Sequence, residues 1–309
     1  MNSLAPIALF VYNRPWHTEA TVNSLLKNEQ ASASELFVFS DAARNNEAEV
    51  AVMQVRNYIK TISGFKKVTI SEKDRNWGLA NSIIDGVTGV VNQFGRVIVL
   101  EDDLVTSPCF LTYMNKALSL YIDEEKVMQI AGYMFPMDLD VSDDALFLPF
   151  ISSWGWATWQ RAWQNFDPEA SQYQKLVQDG ALRNRFDLDG NYRYFKMLQA
   201  QQMGKSESWA IRWYLSVFMR GGLALYPKKS LVRNDGFDGS GVNCAVSDIE
   251  TSELNESFSP VVFPERIEVT GCFDSVLKNM PKPRLSIRSI IKRVRSFLGK
   301  AMHVKQAGI

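Results

Sequence analysis

Three consecutive carboxylates, Glu101-Asp102-Asp103, follow the run Arg96-Val97-Ile98-Val99-Leu100. Like charges that close together repel, and the repulsion is relieved when they share a cation. Carboxylate oxygens are hard donors of the kind that Mn2+ or Mg2+ takes. The plain alternative is a solvated acidic turn or a helix N-cap, because Ser107-Pro108 is placed to open a helix just after. Other polar residues also stand directly after apolar runs: Asn13-Arg14, Asp41 and Arg75-Asn76. A third group lies downstream, with Glu207-Ser208-Trp209 and the Gly-rich stretch 233–241, which carries Asp235 and Asp238.

The elements that would position these residues can be read from periodicity. Strands are expected at 7–12, 36–39, 68–70 and 96–100, and helices at 15–26, 47–62 and 79–91. Pro15 suits a first helical turn. Continuous apolar strands separated by helices indicate a parallel sheet covered on both faces. Such sheets bind ligands beyond the carboxyl ends of their strands, where the polar residues above fall. Beyond residue 110 the composition changes. Six of the eight tryptophans lie between 154 and 213. Helices are expected around 155–163, 192–203 and 209–220, and short strands at 145–150 and 223–226. The organisation expected is a domain over 1–274 in two halves, 1–110 and 111–274, followed by a tail at 275–309.

Composition excludes several classes. The 309 residues carry 34 basic and 34 acidic side chains, with 46% hydrophobic residues, as in ordinary globular proteins. Apolar runs reach about six residues, short of the ~20 that a spanning helix needs. No signal-peptide pattern opens the chain. Three widely spaced cysteines, Cys109, Cys244 and Cys272, suit free thiols in a reducing cytoplasm, and the Asn-Glu-Ser sequon at 255–257 is then chance. With only His17 and His303, His-based triads and His-rich zinc sites are nearly excluded. Gly204-Lys205-Ser206 resembles the end of a P-loop, but Gln199 stands where its first glycine belongs. No GxGxxG follows the first strand, which disfavours a dinucleotide oxidoreductase.

The segment 96–110 resembles the metal-site segment of glycosyltransferases with the GT-A fold. It is especially similar to the N-acetylglucosaminyltransferase I-like group and its bacterial sugar-transferase relatives. The likeness extends, in order, to Val11-Tyr-Asn-Arg-Pro15, Ser40-Asp41, Asn76-Trp-Gly-Leu-Ala80, Ser152-Ser-Trp-Gly-Trp-Ala-Thr-Trp159 and Leu231-Val-Arg-Asn-Asp-Gly-Phe237. It implies a Rossmann-like, mostly parallel sheet with helices on both faces and a smaller mixed acceptor-side region. It also implies a metal-dependent, inverting transfer of a sugar from a nucleotide donor, UDP-linked, to a saccharide acceptor. By the same resemblance Asp103 is the direct ligand of Mn2+ or Mg2+, and Glu101 and Asp102 contact the donor sugar and ribose. Asp41 would bond the uracil, Arg14 would approach the phosphates, and Asn76 and Gly78 would line the base pocket. Each has an ordinary structural role open to it: Asp41 as a cap, Arg14 as a surface charge, Asn76-Trp77-Gly78 as a turn.

Trp156, Trp159 and Trp163 form a stripe at helical spacing, and Trp159 and Trp163 are assigned to packing. The turn carrying Trp154 and Trp156 matches the family's acceptor platform, with Trp209 the third acceptor-side aromatic, since ring faces suit the apolar faces of sugars. Inverting transfer needs a carboxylate at the attacking hydroxyl. Glu207 is the candidate base, with Asp235 and Asp238 as substitutes. Ala210 occupies a position that is often acidic in relatives, which motivates the alternative of a catalytically dead, membrane-associated sugar-nucleotide-binding protein. A sugar nucleotidyltransferase would need a Gly-rich basic loop after the first strand, where this chain has Asn13-Arg14-Pro15.

The tail from 275 to 309 has nine basic residues and no acidic one, leaving −9 on residues 1–274. Over 284–300 it reads as a basic amphipathic helix, the pattern of binding at an anionic membrane surface, with a helix docked on the domain as the alternative. No nucleic-acid-binding fold is recognised. A cytoplasmic enzyme, peripheral at the inner face of the membrane and acting on a lipid-linked glycan in surface polysaccharide or lipopolysaccharide assembly, follows as the expectation.

Overall fold

The computed structural model describes residues 4–239, 254 and 256–280. The described elements run β1 Ile7–Val11, α1 Pro15–Leu26, β2 Glu35–Ser40, α2 Asn46–Ile59, β3 Lys67–Glu72, α3 Leu79–Phe94, β4 Arg96–Glu101, β5 Leu104–Thr106 and α4 Phe110–Leu120. Then come β6 Val127–Ala131, β7 Ala145–Leu148, β8 Trp156–Trp159, α5 Gln160–Trp163, α6 Tyr173–Gln178, α7 Gly180–Phe186, α8 Tyr194–Gln202, α9 Trp209–Met219, β9 Leu223–Pro227, β10 Val232–Asn234 and α10 Phe273–Asn279.

The strands form an eight-stranded sheet in the order β3-β2-β1-β4-β8-β6-β9-β7 and a small β10-β5 ribbon. β1 to β4 are mutually parallel, so their C-terminal ends share one edge. The order reverses at β1, which lies between β2 and β4, and this is the switch point where such sheets open a crevice. β8 runs antiparallel to both β4 and β6, and β6 pairs parallel with β9. The α/β class expected from the sequence is the one the structure has.

Both faces of the sheet are buried. Ile7, Leu9, Ile98, Leu100, Ala157 and Trp159 join one core layer. Ala8, Phe10, Val97, Val99 and Trp156 join the other, together with Ile83, Val87 and Val91 of α3. That two-sided burial is why these strands read as unbroken apolar runs and not as alternations. α3 lies so close to the sheet that Gly86 is required: an added Cβ would come within 2.7 Å of the Phe10 ring.

Two expectations are corrected. Residues 155–163 are not one helix: Trp156–Trp159 is a fully buried strand and only Gln160–Trp163 is helical. Successive strand residues face opposite ways. Trp156 and Trp159 therefore enter different core layers and form no stripe. The helix expected to open at Ser107-Pro108 is α4, which starts at Phe110, and β5, paired with β10, lies between it and the triplet. α10 runs across residue 274, where the tail was expected to start. The amphipathic segment 284–300, Cys244 and the end of the Gly-rich stretch lie outside the described residues. No helix among the described residues is long and apolar enough to cross a membrane.

Candidate functional site

The ends of β1, β2 and β4 meet the start of α3 and the residue before α9 around one cleft of about 220 Å³. Its lining includes Arg14, Asp41, Arg44, Asn76, Gly78, Ser82, Glu101, Asp102, Asp103 and Glu207. Residues from distant parts of the sequence thus meet at one cleft, most of them brought there by parallel strands that end at one edge and Glu207 by the segment ahead of α9.

Asp102 and Asp103 are both buried and both bonded by the guanidinium of Arg14, which reaches Asp103 Oδ2 at 2.9 Å and also pairs with Asp102 Oδ1. Burial pushes Arg14 toward losing its proton, but Asp102 and Asp103 outweigh it and hold its pKa above the ordinary arginine value. Asp102 also accepts from the Tyr12 amide at 3.3 Å, and its carbonyl accepts from Thr21 Oγ1 at 2.8 Å. Burial raises the Asp102 pKa against the pull of Arg14. Glu101 is pushed up to about 8, first by burial and then by Asp103 and Asp102. The triplet is a coupled unit with one cation, Arg14, in contact with it.

The ribbon β10-β5 closes the site from the other side. The Asp235 amide donates to the Asp103 carbonyl at 2.9 Å, and the Gly236 amide to Asn234 Oδ1 at 2.8 Å. This lays the backbone of Gly236 on the Asp103 carboxylate, so closely that a Cβ there would overlap Oδ2 and come within 3.1 Å of Arg14 Nη1.

Asp41 does something other than the base contact expected of it. Its carboxylate accepts from the amides of Ala42, Trp77 and Gly78, each at 2.9 Å, and from Asn76 Nδ2 at 3.1 Å. A carboxylate has about four acceptor directions, and all are used in holding the turn before α3. Asn76 Nδ2 donates also to the Ala42 carbonyl, so its amide group ties the same turn. Gly78 is at φ +77°, a conformation open to glycine, and opens α3 as its N-cap.

Glu207 stands just ahead of α9. Ser208 caps that helix by accepting from the Ile211 amide, and its own amide donates to Gln201 Oε1 at 2.6 Å. Trp209 then anchors the helix by stacking on Trp156, with ring centroids 5.0 Å apart. The Glu207 carboxylate is thereby left at the cleft, Oε2 only 3.4 Å from where a Gly78 Cβ would be. Ala210 packs against the Trp209-Trp213 core layer instead.

The remaining assignments separate. Trp156 and Trp209 are 1% and 3% exposed, their faces stacked on each other, so neither presents a ring to a sugar and the acceptor role expected of them is withdrawn. Trp154 is half-buried, beside Tyr133 and Phe237. Asp235 is held by Arg233 through two contacts of 2.6 and 3.0 Å and does not line the cleft. Asp238 faces His17 Nε2 of α1 at 3.2 Å. Arg44, Ser82 and Gly236 were not anticipated; of these only Gly236 had a signal, the Asp-Gly dipeptide that marks tight turns.

Among the described residues no group of three or more His, Cys, Asp or Glu side chains converges as a metal cage. The donor chemistry nonetheless suits a hard cation. Asp103 Oδ1 accepts from no described group. Mg2+-like sites commonly use one or two carboxylates and complete the shell with substrate phosphates and water.

No family model matches the sequence, and no curated protein matches it. Solved structures similar to it include the mannosyltransferase PcManGT from Pyrobaculum calidifontis in complex with GDP-Man and Mn2+, at 16% identity and TM-score 0.36 over 52% of this chain and 48% of that one. S. aureus TarS is similar at 15% identity and TM-score 0.30, over 48% of this chain and 25% of that one. The alignments thus span about half and about a quarter of the length of those proteins.

Proposed function

We propose that the chain is a glycosyltransferase of the GT-A type that moves a sugar from a nucleotide donor, UDP-linked, to a saccharide acceptor. The observation that carries this reading is the cleft at the sheet's switch point, lined by Glu101, Asp102, Asp103, Arg14 and Glu207. A donor leaving as a nucleoside diphosphate develops negative charge that must be neutralised. Mn2+ or Mg2+, held by Asp103 and the donor's own diphosphate oxygens, would supply Lewis-acid charge there. Arg14, already drawn to the same spot by Asp102 and Asp103, is the chain's own countercharge for the phosphates. Glu101 lines the same cleft beside the diphosphate site and is the residue assigned to the donor sugar. Asp41 and Asn76 act by holding the turn that forms the nucleotide side of the cleft.

Glu207 is the base of the proposal. It lines the cleft beside Gly78, and Ser208 and Trp209 fix its backbone. Its presence there favours an enzyme over a binding protein that has lost its base, since Ala210 is a packing position. Trp154, half-buried and edge-on to Phe237, is the aromatic ring assigned to the acceptor. The N-acetylglucosaminyltransferase I-like grouping, inversion and a role in bacterial surface polysaccharide assembly belong to this reading through the sequence resemblance. So does peripheral membrane placement, through the basic tail.

The test is release of nucleoside diphosphate from a panel of nucleotide sugars in the presence of Mn2+. Wild-type protein should turn over one donor, and Asp103→Ala should abolish that turnover while melting cooperatively. Undiminished, metal-dependent turnover by the variant would sink the assignment.

A further inference from the structure

Ser82 is a polar residue of the cleft wall that the fold itself does not use. It lies in the first turns of α3, is 6% exposed, and its Oγ, withdrawn from solvent, has no hydrogen-bond partner. Other buried helical hydroxyls find a carbonyl, Thr21 on Asp102 and three others about one turn back in their own helix. Thr18 Oγ1 donates to Arg14 O at 2.9 Å, Ser24 Oγ to Thr21 O at 2.8 Å, and Ser216 Oγ to Arg212 O at 3.0 Å. That back-bond is the ordinary outlet for serine and threonine inside a helix, and Ser82 does not take it. Trp77 Nε1 and Tyr113 Oη are also buried without partners, but neither residue lines the cleft.

Position adds a second argument. Gly86, one turn further along the same face of α3, touches the Phe10 and Phe39 rings, so Ser82 lies one turn nearer the cleft on the sheet-facing side. Phe10 is the register partner of Glu101. Glu101 continues the face of β4 set by Val97 and Val99, which is the face that α3 covers. Ser82 and Glu101 therefore belong to the same layer of the cleft. No described residue donates a hydrogen bond to the Glu101 carboxyl either. Two polar groups without internal partners in one layer define a surface for a ligand that brings both donors and acceptors.

From this we infer that Ser82 binds the donor directly, exchanging a hydrogen bond with an alcohol hydroxyl of its glycosyl or ribose ring. A serine hydroxyl both donates and accepts, as a ring alcohol does, and it swings between staggered positions about one bond. Arrival of the ring against α3 draws the hydroxyl out of its buried position. The inference rests on the glycosyltransferase reading above.

The full chain and its Ser82→Ala variant are titrated calorimetrically, with Mn2+, against UDP, GDP, UDP-glucose, UDP-N-acetylglucosamine and GDP-mannose. For the ligand that wild type binds, the variant should lose about three- to tenfold in Kd, the value of one hydrogen bond. Loss confined to the nucleotide sugar places the contact on the glycosyl ring. Equal loss for the nucleoside diphosphate places it on the ribose. Without ligand, the variant should melt at the wild-type temperature or above, because it removes an unsatisfied buried group. Unchanged affinity for every ligand overturns the inference, and so does a variant that melts several degrees lower, which would show a structural partner for the hydroxyl. A wild-type chain that binds none of the five removes the glycosyltransferase reading, and the Ser82 contact with it.

Discussion

On one side of β4 every strand runs parallel to it and delivers charged residues to a common edge; on the other the neighbouring strand, β8, runs the opposite way and brings tryptophans to the same edge. β1 and β4 end in Arg14 and in the triplet 101–103, and β2 ends in Asp41. β8 enters the sheet there through Trp154 and Trp156, because it runs antiparallel to β4 with Trp156 beside Val99. The difference is physical. Parallel strand ends gather side chains from distant parts of the sequence, so charge can be concentrated and must be compensated, here by Arg14. The reversed strand β8 supplies bulk, through Trp156, against which α9 begins at Trp209. Glu207 is the point where the halves meet: it comes from the tryptophan-rich half and lines the cleft of the charged half.

Substituting that residue gives the sharpest test of such a division. Glu207→Gln keeps the shape of the cleft and removes the carboxylate proposed as base. Transfer to an acceptor should fall about 10²- to 10⁴-fold, the usual contribution of a positioned base, while the Kd for the nucleotide sugar stays unchanged. A parallel collapse of donor affinity would make Glu207 part of the donor site and erase the boundary drawn here.

Two tryptophans, two residues apart, sharpen the comparison within one strand entry. Trp156 is fully buried between Trp163 and Trp209, and replacing it with Ala should cost about 3–5 kcal/mol of stability in chemical denaturation. Trp154 is half-buried, and Trp154→Ala should cost distinctly less stability while weakening the acceptor KM by up to about tenfold. Equal destabilisation by both would make the whole turn a packing element and remove the aromatic ring assigned to the acceptor.

Gly236 tests the coupling from the ribbon side. An added methyl there overlaps the Asp103 carboxylate, a buried and already bonded group. Gly236→Ala should therefore weaken Mn2+-dependent donor binding by about 1–3 kcal/mol, the usual range for overpacking. The same substitution at Gly89, where an added Cβ meets nothing within 4 Å, should leave binding as it is.

How much of this was legible follows the same divide. β1 to β4 and α1 to α3 are readable because β1, β2 and β4 are mostly apolar runs ending at a polar residue, β3 carries the β-branched core Val68-Thr69-Ile70, and each helix carries its own period. β6 is not, because Gln129 interrupts its apolar run; the structure pairs its side chain with Trp213 Nε1 at 2.8 Å and with the Ser152 carbonyl at 2.8 Å. β8 misreads as helix because tryptophans three apart mimic a helical stripe, whereas in a strand buried on both sides any residue can be apolar. In the site, the carboxylates and Glu207 could be singled out from type and context. That Asp41 is saturated by its own chain could not, since nothing in the sequence counts its acceptor directions. Ser82 gives no signal at all, because only burial distinguishes it from any other helical serine.

The smallest effect concerns the triplet alone. Glu101 stands near 8 in the folded chain, well above an ordinary carboxyl, because burial and then Asp103 and Asp102 oppose its ionisation. Between the unfolded value near 4.5 and 8, the folded chain holds a proton at Glu101 that the unfolded chain has released. Stability from this group is therefore fully present below about pH 4.5 and is lost as pH rises toward 8. Glu101→Gln keeps the neutral shape and has nothing to ionise, so its melting temperature should decline less than that of wild type across this window. The two curves should lie closest at the acid end and diverge in favour of the variant near pH 8. Parallel curves would mean that Arg14, already shared by Asp102 and Asp103, compensates Glu101 as well, and the charged half would then carry no unpaired carboxyl for a ligand to meet.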